Sequence, residues 1–340
     1  MAFDPNGKVV AILGATGVVG AQMMQCLEER NFPIKELVLL ASARSAGKII
    51  NFIGQQIVIR EATPEAFEGV DIVLGAAGDE QAKELLPEAV TRGCVCVDNS
   101  HAFRMDPDVP LVIPEINAED IKGHNGIISN PNCATIIGLV PLYPLHKAAG
   151  AKRIIASTYQ AASGAGLPGL TSLKNQMADV VAGRKVTETA PFAYQLAVNL
   201  IPQIGGFDEV GYTSEEMKMQ NEGRKIMHLP ELRVNCTCVR VPIMRSHSES
   251  ITVEFERPLS PNEARAILED APGIKVVDNP AELQYPMPLD TSDQDLIYVG
   301  RIREDLSADK NTNALTFFCC GDQIRKGAAT NAVQIAEYLL

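Results

Sequence analysis

Residues 8–20 read KVVAILGATGVVG. The run 8-KVVAIL-13 is apolar after its lysine, as expected of a strand buried on both faces. Gly14, Gly17 and Gly20 follow at three-residue spacing. Such a turn lets the backbone bend tightly, approach a phosphate and pack the next helix on the sheet, while the helix N-terminus offers free N–H donors. The spacing is G-x-x-G-x-x-G and departs from strict G-x-G-x-x-G. The segment 21-AQMMQCLEERN-31 has helical periodicity, and 37-LVLLAS-42 returns as a second strand, completing a βαβ unit. Further alternation runs through 56-QIVIRE-61, 70-VDIVLGAA-77, the helix 79-DEQAKELLPEAVTRG-93, 94-CVCVDNS-100 and 126-GIIS-129. The first 130 residues therefore read as a doubly wound parallel sheet.

Beyond a helix opening near Pro131 the pattern changes. The segments 152-KRIIASTYQA-161, 234-VNCTCVRVPI-243 and 250-SITVEFE-256 alternate in the manner of antiparallel strands, and a second domain is expected there. Helices are expected over 170–183, 215–227 and 262–271, and the tail 323–340 reads as one long amphipathic helix able to pack back on the first domain. The expected domains are 1–130 with 321–340, and 131–320. The chain of 340 residues carries a net charge of −12, which disfavours a general attraction to nucleic acid or anionic lipid. Its start has neither a basic n-region with an apolar core nor an apolar span of about 20 residues, so a cytoplasmic setting is expected. Eight cysteines in strand-like contexts do not match zinc spacings, so no metal is expected, and all but Cys133 read as small buried core residues.

Three places suggest chemistry. The end of the second strand, 41-ASARSAGK-48, offers Ser42, Arg44, Ser45 and Lys48 but no acid, which suits a ribose 2′-phosphate better than a 2′-hydroxyl. In 128-ISNPNCATIIGLVPL-142, Pro131 suits a first helical turn and Asn130 or Asn132 can cap, which puts Cys133 where a helix dipole favours a thiolate. In 234-VNCTCVRVPIMRSHSES-250, Arg240 shares strand parity with Cys236 and Cys238. A turn at Met244–Ser246 would bring His247 back beside it, pairing a bidentate fork for a carboxylate with a group able to move protons.

Taken in order, 14-GATGVVG-20, 99-NSHAFRMD-106, 129-SNPNCATI-136, 157-STYQAASGAG-166, 215-EEMKMQNEGRKI-226, 240-RVPIMRSHSES-250 and 322-DQIRKGAATNAVQ-334 resemble the aspartate-β-semialdehyde dehydrogenase family, in its bacterial short-loop branch. The resemblance runs from residue 8 to the C-terminus. It implies an α/β chain: an N-terminal Rossmann-type NADP-binding domain, an α+β catalytic and dimerisation domain, and a C-terminal helix packed back on the first. It also implies NADPH-dependent reduction of β-aspartyl phosphate to aspartate semialdehyde, on the route to lysine, diaminopimelate, methionine and threonine, in a homodimer. By motif, Cys133 would be the nucleophile, His247 the general acid/base and Gln160 the group orienting the substrate. Arg240 would clamp the α-carboxylate, Glu215 would meet the amino group, and Arg104, Lys218 and Asn99 would bind the departing phosphate. Cofactor contacts would come from the Gly14 turn with Thr16, Gly17, Val18 and Val19, and from Arg44, Ser45, Ser163, Gly164, Gln323 and Asn331. The family more often has Ser where this chain has His101.

A thioester on Cys133 would split a difficult reduction into two steps, and donors aimed at the oxyanion would stabilise each. The nearest alternative, an N-acetyl-γ-glutamyl-phosphate reductase, typically has glycine where this chain has Asn132, and its acetylated substrate would give Glu215 no free amino group to meet. A catalytically inactive nucleotide-sensing homologue would not need Cys133, Gln160, Arg240 and His247 together.

Overall fold

A computed structural model of the chain describes residues 3–309 and 313–340. The chain divides into two compact units, Met1–Asn132 with Ala328–Leu340, and Cys133–Gly327.

The first unit opens with β1 (Lys8–Leu13), α1 (Val18–Glu29) and β2 (Ile34–Ala41). It continues through the hairpin β3 (Ile49–Phe52) and β4 (Gln55–Val58), then β5 (Arg60–Glu61), β6 (Ile72–Gly75), α2 (Asp79–Thr91), β7 (Val95–Asp98), α3 (Pro114–Asn117) and β8 (Ile127–Ser129). Its main sheet runs β5-β2-β1-β6-β7-β8 and every pair is parallel. Both faces are covered, which is why β1 is apolar from Val9 onward. Val10 and Ile12 join one core with Met23 and Leu27 of α1, while Ala11 and Leu13 join another with Leu85, Leu86 and Ala89 of α2. The segment 56–61, expected as one strand, is divided between the β3–β4 hairpin and the edge strand β5.

The second unit holds α4 (Cys133–Ala149), β9 (Ala151–Gln160), α5 (Gly166–Val181), α6 (Ser214–Ile226), β10 (Arg233–Arg240), β11 (His247–Phe255), α7 (Pro261–Glu269), β12 (Ile274–Val276), α8 (Pro288–Thr291), β13 (Ile297–Glu304) and β14 (Asn313–Gly321). Its sheet order is β10-β9-β11-β14-β13-β12. Alternation here correctly signals a sheet with one covered face, but the expected antiparallel pairing is only partly present, because β10 runs parallel to β9. The reason lies in the connection. The chain leaves β9, passes through α5 and α6, and can therefore re-enter in the same direction.

The expected tail helix, 323–340, is shorter, running from Arg325 to Glu337, and opens with a wider turn. A π-turn over Arg325–Ala329 precedes α9 (Thr330–Glu337). Asp322 and Gln323 belong to the second unit, where Asp322 accepts from Arg245 at 2.7 Å and Gln323 accepts from the Ser246 N–H at 2.9 Å. The chain returns to the first unit at Ala328. There α9 packs beside α1, with Arg30 paired to Glu337 at 2.7 Å.

Candidate active site

The second unit gathers its functional side chains at one end of its sheet. Arg240 closes β10 and is registered with Gln160, the last residue of β9. Ser248 is registered with Tyr159, which sets His247 across from Gln160 on the other side. Arg240 and His247 thus do not meet through the hairpin expected from the sequence. They lie two strands apart with Gln160 between them. All three are buried on the face that α4 covers.

Their partners fix them tightly. Gln160 Nε2 donates to Glu215 Oε1 at 3.2 Å and to Thr158 Oγ1 at 3.3 Å. Glu215 stands in the first turn of α6, a helix started by a reciprocal Thr213–Glu216 capping box. Its other oxygen takes the Lys218 ammonium at 2.8 Å, so the groups expected at the two ends of the substrate are paired with each other. Arg240 donates from Nη1 to the Ala161 carbonyl at 2.7 Å and lies over the Phe192 ring at 6.0 Å. Burial makes its charge costly, while Glu215 and Cys133 favour it. His247 is fully buried. Burial first, then the positive charge of Arg240, pulls its pKa down to about 3 against the opposing pull of Glu215 and the Ser246 backbone.

Cys133 is the first residue of α4 and the one cysteine that is not buried. Ser163 and Gln323, expected at the cofactor, are hydrogen-bonded to one another, and Gln323 ties them to Ser246, next to His247. At Gly164 a methyl group would lie 2.7 Å from Arg240 Nη1 and 3.3 Å from His247 Nε2. No side chain fits there while those groups keep their places.

Immediately deeper in the sheet runs a second row, Cys238, Thr158, Glu249 and Cys319. Glu249 is completely buried, and neither carboxylate oxygen has a hydrogen-bond partner. Burial, reinforced by Cys238 and Glu215, raises its pKa well above the usual carboxylate range, so the group is held as the neutral acid. Its stability effect has a definite sign. Because the folded pKa is raised, the native state keeps a proton that the unfolded chain releases above the carboxyl's ordinary value of 4.5. Stability contributed by this group is therefore full at lower pH and is lost as pH rises, by up to about 1.4 kcal/mol per pH unit across the window. Glu249→Gln removes that loss, so in thermal melts the variant gains on wild type as pH rises above the ordinary carboxylate range. Parallel curves would show that the carboxyl is not held neutral.

The first unit contributes a cradle and an anchored arginine. Gly14 has φ 89° and a methyl there would stand 2.6 Å from the Ala76 carbonyl, while one at Gly20 would stand 2.4 Å from that of Gly14. Gly17 caps α1 without a side chain, and Thr16 and Gly17 are exposed before Val18 and Val19 open the helix. Gly14, Ala15 and Gly17 give their N–H groups to carbonyls of the fold, while the first N–H groups of α1 have no partner within the helix and suit an anion. Arg44 is exposed and Ser45 buried in the short turn after β2. Arg104 is buried, its fork held by the carbonyls of Asn130 and Asn99, each at 2.9 Å. Asn130 in turn donates to Asn99 Oδ1 at 2.7 Å. Asn331, expected at the cofactor, is wholly buried and gives its amide protons to Asn130 Oδ1 at 2.7 Å and the Val112 carbonyl at 3.0 Å.

The semialdehyde dehydrogenase NAD-binding domain model matches residues 9–124, and the semialdehyde dehydrogenase dimerisation domain model matches residues 142–326. The aspartate-semialdehyde dehydrogenase of Aquifex aeolicus is 49% identical over 98% of both chains, and that of Bacillus subtilis 47% over 98% of both. The chain belongs to the aspartate-semialdehyde dehydrogenase family. Its fold is similar to that of aspartate semialdehyde dehydrogenase II from Vibrio cholerae, with a TM-score of 0.94 and 42% identity over 98% of each chain. Another structure of that Vibrio enzyme is a complex with ASA.

For a member of this family, two residues escaped the sequence reading. Gly327 lies where a methyl would come within 2.9 Å of Cys133 Cβ, so the position of Cys133 depends on a glycine in the π-turn. Only the small-residue run 327-GAA-329 hints at it. Glu249 stands two residues from His247, but nothing in its local sequence says that it is buried without a partner. Among the described residues no helix is long and apolar enough to cross a membrane, and no cluster of three or more His, Cys, Asp or Glu is arranged to hold a metal ion.

Proposed function

We propose that this chain catalyses the NADPH-dependent reductive dephosphorylation of β-aspartyl phosphate to aspartate semialdehyde through a thioester on Cys133, as a cytoplasmic homodimer. One observation carries the reading: Arg240, Gln160 and His247 stand side by side at one end of a sheet, with the Glu215–Lys218 pair bonded to Gln160. The match to the dimerisation-domain model supports the homodimer.

The roles follow from the chemistry. Cys133, at the start of α4, attacks the acyl carbon with phosphate as leaving group. Arg240 holds the substrate carboxylate in a bidentate pair. Glu215 attracts a free amino group, which favours aspartyl over N-acetylglutamyl substrates. Lys218, with Arg104 and Asn99, receives phosphate. Gln160, fixed by Glu215 and Thr158, orients the acyl group beside the thiol. When bound, NADPH supplies the hydride. The Gly14–Gly20 turn fits its pyrophosphate because Gly14 and Gly20 let the turn pack closely on Ala76 and on itself, at the N-terminus of α1, and Arg44 fits its 2′-phosphate. Ser163, Gly164 and Gln323 hold the backbone next to His247, and Asn331 holds Asn130.

The reading is tested by following NADPH absorbance as the protein oxidises aspartate semialdehyde in the presence of phosphate. Turnover should require phosphate and proceed with NADP. Arg44→Glu should raise KM for NADP at least tenfold, about 1.4 kcal/mol of lost binding, and affect NAD less. Equal losses for both cofactors would mean that Arg44 does not meet the 2′-phosphate.

A further inference from the structure

Arg240 is held through its backbone as well as through its guanidinium. Its N–H donates to the Ile201 carbonyl at 2.8 Å, and the Ile201 N–H returns to the Arg240 carbonyl at 3.0 Å. Ile201 ends a stretch without helix or strand that begins at Thr189 and carries Phe192, the ring under the guanidinium. Two supports thus reach Arg240 from one segment.

A single side chain of α5 fixes that segment. Gln176 is buried, and its Oε1 accepts from the N–H groups of Leu196 at 2.7 Å and Ala197 at 3.1 Å. Its Nε2 donates to Ser172 Oγ at 2.9 Å, and that hydroxyl donates to the Thr189 carbonyl at 3.3 Å. Between these anchors the Phe192 N–H closes a turn onto the same Thr189 carbonyl at 3.0 Å. The ring tip comes against Gly169 of α5, where a methyl would stand 3.2 Å from Phe192 Cζ. Past Ile201 the chain runs on to the start of α6. Gly206 O accepts from the Ser214 N–H at 2.8 Å, and a methyl on Gly205, which has φ 83°, would stand 2.1 Å from Ser214 Oγ. The segment therefore spans the distance from Arg240 to the residue before Glu215. Burial works against the charge of Arg240. An aromatic face stabilises such a cation while leaving the edges of its fork free to donate.

We propose that Gln176 and Phe192 are positioning residues for the substrate's α-carboxylate: Gln176 pins the segment 189–201, and that segment aims the Arg240 fork through the Phe192 ring and the Ile201 bridge. This rests on the function proposed above and specifies how its carboxylate site is built. The chemistry, with Cys133 as nucleophile and His247 as general acid/base, is left as it is, so the effect falls on binding of the carboxylate end.

A double-mutant cycle tests the assignment. Phe192→Leu keeps an apolar side chain but removes the ring face. It should raise KM for aspartate semialdehyde about five- to tenfold, with KM for phosphate within about twofold and kcat within about threefold of wild type. Phe192→Tyr keeps the face and should keep KM near wild type. In an Arg240→Leu background Phe192→Leu should cost nothing further, because the group it positions is gone. Gln176→Met keeps the side-chain length, removes the acceptor for two N–H groups, and should raise the same KM only while Arg240 is present. Where thermal melts show that Gln176→Met does not fold, the Phe192 cycle decides. Additive losses in the double mutants, an equal rise in KM for phosphate, or a Phe192→Tyr as impaired as Phe192→Leu would overturn the proposal. A second arm needs no activity. The guanidinium protons of Arg240, identified in ¹⁵N-arginine spectra as the signals lost in Arg240→Leu, should lie upfield of their positions in Phe192→Leu, and identical positions would overturn the proposal. Wild-type protein with that shift but without phosphate-dependent activity on aspartate semialdehyde would overturn the functional reading instead.

Discussion

Cys133→Ala abolishes turnover, with kcat expected at least about 10⁴-fold below wild type, because no acyl-enzyme can form and the remaining groups only bind and orient. NADP binding should persist within a few-fold, because the Gly14–Gly20 turn and Arg44 belong to the other structural unit. The fold should tolerate the change. Cys133 is half-buried, and alanine is a good helix former at the first position of α4. Substantial residual turnover in steady-state assays would rule out the covalent route.

The second large effect separates the two ends of the substrate. Arg240→Leu would remove the bidentate pair proposed with the substrate carboxylate, worth a few kcal/mol. It should raise KM for aspartate semialdehyde by about 10²-fold or more while leaving the apparent KM for phosphate nearly unchanged. Lys218→Met should do the reverse. Because Lys218 also pairs with Glu215 at 2.8 Å, its loss removes one of the contacts that hold that carboxylate against Gln160, and kcat should fall several-fold as Gln160 loosens. If Arg240→Leu instead raised the phosphate KM and spared the semialdehyde, the carboxylate clamp would be wrongly assigned and N-acetylglutamyl substrates would have to be tried.

Much of this arrangement can be read from residue types, because their physics is local. A glycine turn between an apolar run and a helix needs only its neighbours to be understood, and the two-faced burial of β1 is visible in its unbroken apolarity. The helix expected near Pro131 is legible in the same way, although α4 itself begins at Cys133 and leaves Pro131 outside it. Pairing direction is not local. The alternation of 234–243 reports one buried face but not which neighbour β10 meets, and a long excursion through α5 and α6 makes that pairing parallel. For the same reason the sequence suggested a hairpin between Arg240 and His247 where β9 intervenes.

The features that define the site most sharply come from backbone atoms or from empty space. Gly164 and Gly327 matter for what they lack, the Ala161 carbonyl holds Arg240 through a group every residue carries, and Glu249 stands out only for having no partner. Gln323 and Asn331 looked like cofactor ligands by motif. In the structure Gln323 bonds to Ser246 and Ser163, and Asn331 to Asn130.

The thioester itself is the most direct test. Wild-type protein mixed with β-aspartyl phosphate in the absence of NADPH, quenched in acid and digested, should carry one aspartyl group on the peptide containing Cys133. The adduct should disappear when NADPH is added before the quench. An unmodified Cys133 peptide under conditions that support turnover, or an adduct on any other cysteine, would contradict the account.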